Sequence, residues 1–263
     1  MWIILPGLGC PPQDYAVLQQ RLGAWVMDAW TVGLDASVDE VRTYAFREIA
    51  EFFGEAASQE PVRILGHSMG GLLALEWAAR YPEEVAEIVL ADPTPPKDAR
   101  VLAWMHLPSR VELVGEKLWG WLGTDAGAKI PGKILTPALP FLRKVMTSQG
   151  EHQPERLSRA ERKRYFGSVD AGQSLIRQNC ACERTQRRAF YALGGVARAD
   201  AGWLKEIPIT LLVASDDDPS TMFVREQLQL AQRLGVTPHF FPEATHLFPI
   251  ATPEIVEPFL LRK

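Results

Sequence analysis

Cysteine is scarce in this chain, with three residues in 263, and Cys180 and Cys182 are separated by a single alanine. An odd count at that spacing supplies neither a disulfide framework nor a zinc knuckle, so a reduced, cytoplasmic protein is expected. Long apolar runs are also missing. The first, Trp2-Ile3-Ile4-Leu5, breaks at Pro6 and has no basic leader ahead of it, so neither a secretory signal nor a membrane span is expected. There is no basic excess: the net charge is −4 and no nucleic-acid-binding motif occurs, which excludes nucleic acid as the expected partner. Histidines number only five, and no His, Cys and carboxylate cluster has metal-ligand spacing. No metal and no other cofactor is expected. Internal repeats and low-complexity tracts are absent.

What the chain does contain is apolar material, 47% of its residues, enough for one enzyme-sized domain carrying an insertion. Chains near this size bury roughly three quarters of their surface. Short apolar runs near residues 2–5, 25–30, 62–66, 86–91, 208–214 and 237–241 read as strands. Most alternate with helical patterns, and the alternation predicts an α/β fold with a mostly parallel sheet of about six strands and helices on both faces. One such helix spans Val38 to Gly54. Its apolar residues Val41, Tyr44, Ala45, Ile49, Phe52 and Phe53 recur at helical spacing, so it should cover one face of the sheet.

The segment 62–79, VRILGHSMGGLLALEWAA, runs an apolar strand into Gly66-His67-Ser68-Met69-Gly70 and then into an amphipathic helix. A serine hydroxyl is a poor nucleophile unless a tight turn holds it where a base can reach it, and flanking glycines keep such a turn free of clashes. Ser68 is therefore the candidate nucleophile. The backbone N–H of Met69 opens the following helix and would point at the oxygen of a reacting carbonyl, aided by the helix dipole. At the first strand's end, Pro6-Gly7-Leu8-Gly9 offers a second oxyanion donor, the N–H of Leu8. Later in the chain the strand Ile209 to Ala214 ends in Ser215-Asp216-Asp217-Asp218-Pro219, and the run Val236 to Phe241 is followed by Pro242-Glu243-Ala244-Thr245-His246. The order serine, acid, histidine is that of a nucleophile-elbow hydrolase.

On these motifs the chain resembles the α/β-hydrolase superfamily, in its small esterase branch with a helical cap. The resemblance covers most of residues 1–95 and 205–263 and rests on Pro6-Gly7-Leu8-Gly9, the Ser68 elbow, Ser215-x-x-Asp218-Pro219 and Thr245-His246. It departs from the family at Pro6, where His is usual, and at Ser215, where Gly is usual. The family frame selects Asp218 over Asp216 and Asp217 as the acid. Asp92, at the end of the strand Ile88 to Ala91, is the alternative acid position in this superfamily. The resemblance also implies that two initial strands common in the family are not present.

Between Pro93 and Leu204 the alternation stops. This places the core at 1–96 and 205–263 and a helical cap at 97–204, inserted on the side where strand C-termini point. Trp104, Met105, Leu107, Leu118, Trp119, Trp121 and Leu122 could line an acyl pocket, although residues at such spacing usually form packing core. The cap holds 18 Lys or Arg against 10 Asp or Glu, net +8, and the rest of the chain holds 10 against 22, net −12. Arg156, Arg159, Arg162, Lys163, Arg164, Arg177, Arg184, Arg187 and Arg188 carry much of that charge. Either they form a solvated face or they dock an acidic partner. An acyl carrier protein fits the second reading, and the pattern is similar in architecture and charge to pimeloyl-carrier methyl ester esterases.

The expected chemistry is cofactor-independent hydrolysis of a small-molecule or carrier-linked carboxylic ester. Ser68 is the nucleophile, His246 the base, Asp218 the acid that orients it, and the N–H groups of Leu8 and Met69 hold the oxyanion. Thioester, C–C bond and perhydrolytic chemistry run on nearly the same triad. A non-catalytic ligand sensor on the same scaffold is the alternative from another class.

Overall fold

The computed structural model describes residues 1–98, 109–138, 169–195 and 206–261. Six strands form one parallel sheet: β1 (Trp2–Leu5), β2 (Trp25–Val26), β3 (Val62–His67), β4 (Val85–Ala91), β5 (Ile209–Val213) and β6 (His239–Phe240), in the order β2-β1-β3-β4-β5-β6. The three central strands β3, β4 and β5 are nearly continuous apolar runs because helices cover both faces, as buried parallel strands require. Each alternating set of side chains feeds a different core. Ile64, Ile88, Leu90 and Leu211 point to the face packed by α2 (Val38–Phe53) and α3 (Met69–Arg80), while Leu65, Val89 and Leu212 meet Tyr15, Leu18, Phe248 and Leu260 on the other. The second face is closed by α1 (Ala16–Leu22) and by short helices after the last strand.

Helix α2 starts with a reciprocal capping box: the Ser37 hydroxyl accepts from the Glu40 N–H, and the Glu40 carboxylate accepts from the Ser37 N–H. Its stripe Val38, Val41, Ala45 and Ile49 is fully buried, and each such side chain contributes on the order of 1.5–3 kcal/mol for the larger residues. The expected stripe is cut short at its end. Phe52 and Phe53 in the last turn are exposed by 68% and 46%, so the sheet-facing surface ends at Ile49.

Between β4 and β5 the described residues are helical: α4 (Ser109–Leu122), α5 (Asp125–Leu135) and α6 (Val169–Ala192). Helices α5 and α6 cross closely at glycine. A Cβ on Gly172 would stand 2.3 Å from the Gly132 carbonyl oxygen, so a side chain there would force the helices apart. Helix α6 is strapped to the segment after β2. Gln178 accepts from the Leu34 N–H at 3.2 Å and donates to the Ala29 carbonyl at 3.0 Å. Arg188 donates to Glu76 at 2.9 Å and to the Ala36 carbonyl at 2.8 Å. Trp104, Met105 and Leu107 lie outside the described residues, as do Arg156, Arg159, Arg162, Lys163 and Arg164. Of the two tryptophans of α4, Trp121 stands half exposed.

Candidate active site

The parallel register of β3 and β4 pairs His67 with Ala91, so the next residue of each chain segment, Ser68 and Asp92, emerges side by side at the C-terminal edge of the sheet. Backbone hydrogen bonds carry the ladder past the strand ends: Ser68 N–H donates to the Ala91 carbonyl at 3.1 Å, and Asp92 N–H to the Leu212 carbonyl at 2.8 Å. Both residues hold positive φ, 51° for Ser68 and 47° for Asp92, and among the described residues no other non-glycine does. Such backbone strain costs on the order of 1–3 kcal/mol and persists where the surroundings over-determine it, most often at functional sites. Here the glycines make the turn feasible. A Cβ on Gly70 would stand 2.1 Å from the Leu5 carbonyl oxygen, and one on Gly66 would stand 2.7 Å from the Gly71 Cα.

His246 sits in the loop between β6 and α8 (Phe248–Ala251). The Ser68 hydroxyl donates to its Nε2 at 3.0 Å, and its Nδ1–H donates to the Asp92 carboxylate. The other Asp92 oxygen accepts from the Ala214 N–H at 3.0 Å. Asp92 is buried, whereas the His246 side chain is half exposed. The line can pass a proton from hydroxyl to imidazole with a buried carboxylate behind it; Ser68 itself is buried, and the exposed part of the line is the His246 ring.

Asp218 is not on that line, which corrects the acid assignment drawn from the sequence frame. Its carboxylate accepts from the Ser220 N–H at 2.8 Å and from the Ser220 hydroxyl at 2.7 Å, in an exposed turn ahead of α7 (Met222–Leu234). Those two bonds, the hydroxyl first, hold its carboxyl below the usual range. The physical reason is topological. Strand β4 is the direct neighbour of β3, β5 is one strand further, and Asp218 lies five residues beyond the end of β5.

Met69 is the first residue of α3, and Leu8 follows β1 across the sheet edge from Ser68. Among the described residues the N–H of neither takes a protein partner. Leu175 of α6 reaches the same loop, within 3.4 Å of where a Cβ on Gly9 would sit. A surface cleft lined by Arg42, Phe46, Pro61 and Glu84 lies at the opposite, N-terminal ends of β3 and β4, away from this chemistry. Among the described residues no group of three His, Cys, Asp or Glu could hold a metal. No described helix is long and apolar enough to cross a membrane.

Two further residues of the site, His67 and Tyr15, were not singled out by sequence. His67 is the variable letter of the elbow motif, and Tyr15 lies 52 residues away from it in sequence, so only the folded chain brings them together.

A parallel six-stranded sheet with a strained serine elbow, an aspartate on the next strand end and a histidine in the last loop defines the class of nucleophile-elbow α/β proteins. The family described as alpha/beta hydrolase fold matches residues 20–250, and the chain belongs to it. The chain is 39% identical over 62 residues, 23% of its own length and 24% of the other's, to a pimeloyl-[acyl-carrier protein] methyl ester esterase of Chromobacterium violaceum. It is 26% identical over 206 residues, 76% of its length, to a poly(3-hydroxyalkanoate) depolymerase of Ectopseudomonas oleovorans. These matches span only 24% and 60% of the relatives' own lengths. In structure it resembles MenH from S. aureus, with a TM-score of 0.55 and 16% identity over 99% of this chain and 91% of that one, a likeness of fold.

Proposed function

We propose that the protein is a serine hydrolase of carboxylic esters, with Ser68 as nucleophile, His246 as general base and Asp92 as the orienting acid. The observation that carries this reading is the hydrogen-bonded line from the Ser68 hydroxyl through the His246 ring to the buried Asp92 carboxylate. His246 takes the hydroxyl proton on Nε2 as Ser68 Oγ attacks the ester carbonyl, and Asp92 stabilises the imidazolium that results. The tetrahedral oxyanion is held by the N–H groups of Leu8 and Met69. Collapse expels the alcohol with the proton from His246, and water, deprotonated by the same ring, releases the acid from the acyl-enzyme.

In this reading residues 97–204 form the cap over the serine, and α6 beside the Gly9 loop supports that placement. A carrier-linked methyl ester is the finer substrate proposal, supported by the short match to the pimeloyl-carrier esterase. The described arginines lend it little. Arg177 pairs with Asp35 and Asp125, Arg187 with Asp98 and Glu183, and Arg188 with Glu76, so a docking face would have to draw on Arg184 and the residues between 156 and 164. Free thiols at Cys10, Cys180 and Cys182 support a reducing, cytoplasmic setting.

The test is labelling by a fluorophosphonate probe, with turnover of p-nitrophenyl esters of increasing chain length and of a carrier-linked methyl ester. Labelling lost in Ser68→Ala, together with ester turnover, is the expected result. A folded wild-type protein that neither labels nor turns over any ester overturns the reading and favours a ligand sensor.

A further inference from the structure

His67 is fully buried directly before Ser68, and the reaction just described gives it no task. Both of its ring nitrogens are nonetheless engaged, each with a different wall of the site. Nδ1 lies 2.6 Å from the Tyr15 hydroxyl oxygen, and Nε2 lies 2.8 Å from the backbone carbonyl oxygen of His246. The Tyr15 oxygen in turn accepts from the N–H of Gly7 at 3.0 Å.

One arrangement of protons satisfies this line. The Gly7 N–H can only donate and the His246 carbonyl can only accept. Tyr15 therefore accepts from Gly7 and gives its own proton to Nδ1, which leaves the ring proton on Nε2, donated to the His246 carbonyl. The relay has a single direction, and His67 in it is a neutral imidazole of fixed tautomer.

Its ends are the two loops that carry the remaining chemistry. Gly7 immediately precedes Leu8, the oxyanion donor, and His246 is the base. These loops come from opposite ends of the chain and are joined through the side chain next to the nucleophile. Packing tightens the join: a Cβ on Gly7 would stand 3.0 Å from Nδ1 of His67 and 3.3 Å from Cβ of Ser68, so the loop lies directly on the ring.

We propose that His67 and Tyr15 are positioning residues that couple the oxyanion loop to the base and thereby fix Leu8 N–H, Ser68 Oγ and His246 Nε2 relative to one another. This rests on the serine hydrolase reading. A misplacement of about 1 Å among such groups costs on the order of a hundredfold in rate, which is why a rigid connection between separate loops matters. The neutral state matters as well. The His67 and His246 rings stand 5.2 Å apart, centre to centre, and a charge on His67 would oppose the proton that His246 must take. Burial, with the neighbouring His246, pushes His67 down to about 3, and burial pushes the Tyr15 phenol well above its usual range, so it remains a donor. The titratable groups around the relay are Cys10 and Asp14 beside Tyr15, and His246, backed by Asp92, on the other side.

The experiment compares full-length wild type, Ser68→Ala, Tyr15→Phe, His67→Leu and His67→Gln for p-nitrophenyl acetate kinetics and fluorophosphonate labelling rate, with folding checked by circular dichroism. Tyr15→Phe and His67→Leu should lower kcat by roughly 10- to 100-fold and leave KM within about threefold, the split expected when transition-state geometry is lost and binding is not. His67→Gln, which keeps one acceptor and one donor in a neutral side chain, should recover to within about fivefold of wild type. Nitrogen NMR of wild type should show His67 as the neutral Nε2–H tautomer from about pH 5 to 8. Should the His67 variants fail to fold, Tyr15→Phe and the tautomer measurement decide the matter. A kcat within twofold of wild type in folded Tyr15→Phe, equal losses in the Gln and Leu variants, or an Nδ1–H tautomer overturns the proposal. A wild type that is neither labelled nor active overturns the hydrolase reading and this inference with it, whereas an active wild type with unaffected variants overturns this inference alone.

Discussion

Asp92 and Asp218 both follow apolar strands at the same edge of one parallel sheet, yet they live in different physical worlds. Asp92 comes directly after β4, holds φ at 47°, is buried, and spends its two oxygens on the Ala214 N–H and on His246. Asp218 comes five residues after β5, is exposed, and closes a local turn onto Ser220. Buried carboxylates must be paired and hydrogen-bonded to be tolerated, and the partners of Asp92 come from elements far away in sequence. Those of Asp218 come from its own turn. The difference shows that a strand-end acid acquires reach toward His246 and Ser68 from the adjacency of its strand to the strand that carries Ser68, more than from the residues flanking it.

The largest effect should fall on the line itself. Ser68→Ala or His246→Ala is expected to lower ester turnover at least roughly a thousandfold with the fold intact, because triad members act as a unit. A tenth of the activity surviving in either variant would remove the basis for ranking the two carboxylates. Next comes Asp92→Asn, which presents an amide where His246 Nδ1–H needs an acceptor. It should cost on the order of 10²- to 10⁴-fold in kcat, and steady-state kinetics beside Asp218→Asn measure the contrast directly.

A smaller effect separates buried from exposed strand ends through pH. The folded-state pKa of His67 is about 3, below its usual value near 6.5, so between those values the unfolded chain binds a proton that the folded chain does not. Stability from this group is therefore fully present above about pH 6.5 and is lost as pH falls toward about 3, by an amount of order a few kcal/mol. His67→Gln has no such group. Urea unfolding at pH 7.5 and 4.5 should show wild type losing more stability than the variant on acidification, and parallel losses would mean that His67 is not held neutral by the fold.

Legibility in the sequence followed the same division between local and distant causes. The strand, elbow and helix around Ser68 are specified by a continuous stretch, and the six strands and their parallel arrangement followed from alternation. His246 came into view from its place after the last strand, and it lies 3.0 Å from Ser68. The sequence frame favoured Asp218 over Asp92, the residue that meets His246 in the structure, because the flanking pattern around Asp218 carries no information about strand order. Asp92-Pro93 directly after Ile88 to Ala91 was the available signal, since an acid immediately at a strand end beside β3 needs no loop to bring it into reach. Tyr15 and His67 were invisible for the same reason, as was the inward turn of Arg177, Arg187 and Arg188 to acids on other segments.

The smallest expected effect belongs to Asp218→Asn. Its carboxylate helps order the turn that leads to Thr221, whose side chain caps α7 by accepting from the Val224 N–H at 3.3 Å. An amide oxygen can still accept from Ser220, and the turn is solvated, so the change removes a charge that water already screens. Ester kcat and KM should stay within about twofold of wild type and the melting temperature within about 2 °C. The depressed carboxyl makes the residual effect pH-dependent in a known direction. Its share of stability is present above the unfolded carboxylate pKa and is lost as pH falls through the lower folded value, so any gap between wild type and Asp218→Asn should close on acidification. If instead Asp218→Asn abolishes turnover while Asp92→Asn is nearly silent, the acid belongs to the longer β5 loop. That loop would then have to swing from Ser220 to His246 during the reaction, and strand adjacency would no longer decide which carboxylate orients the base.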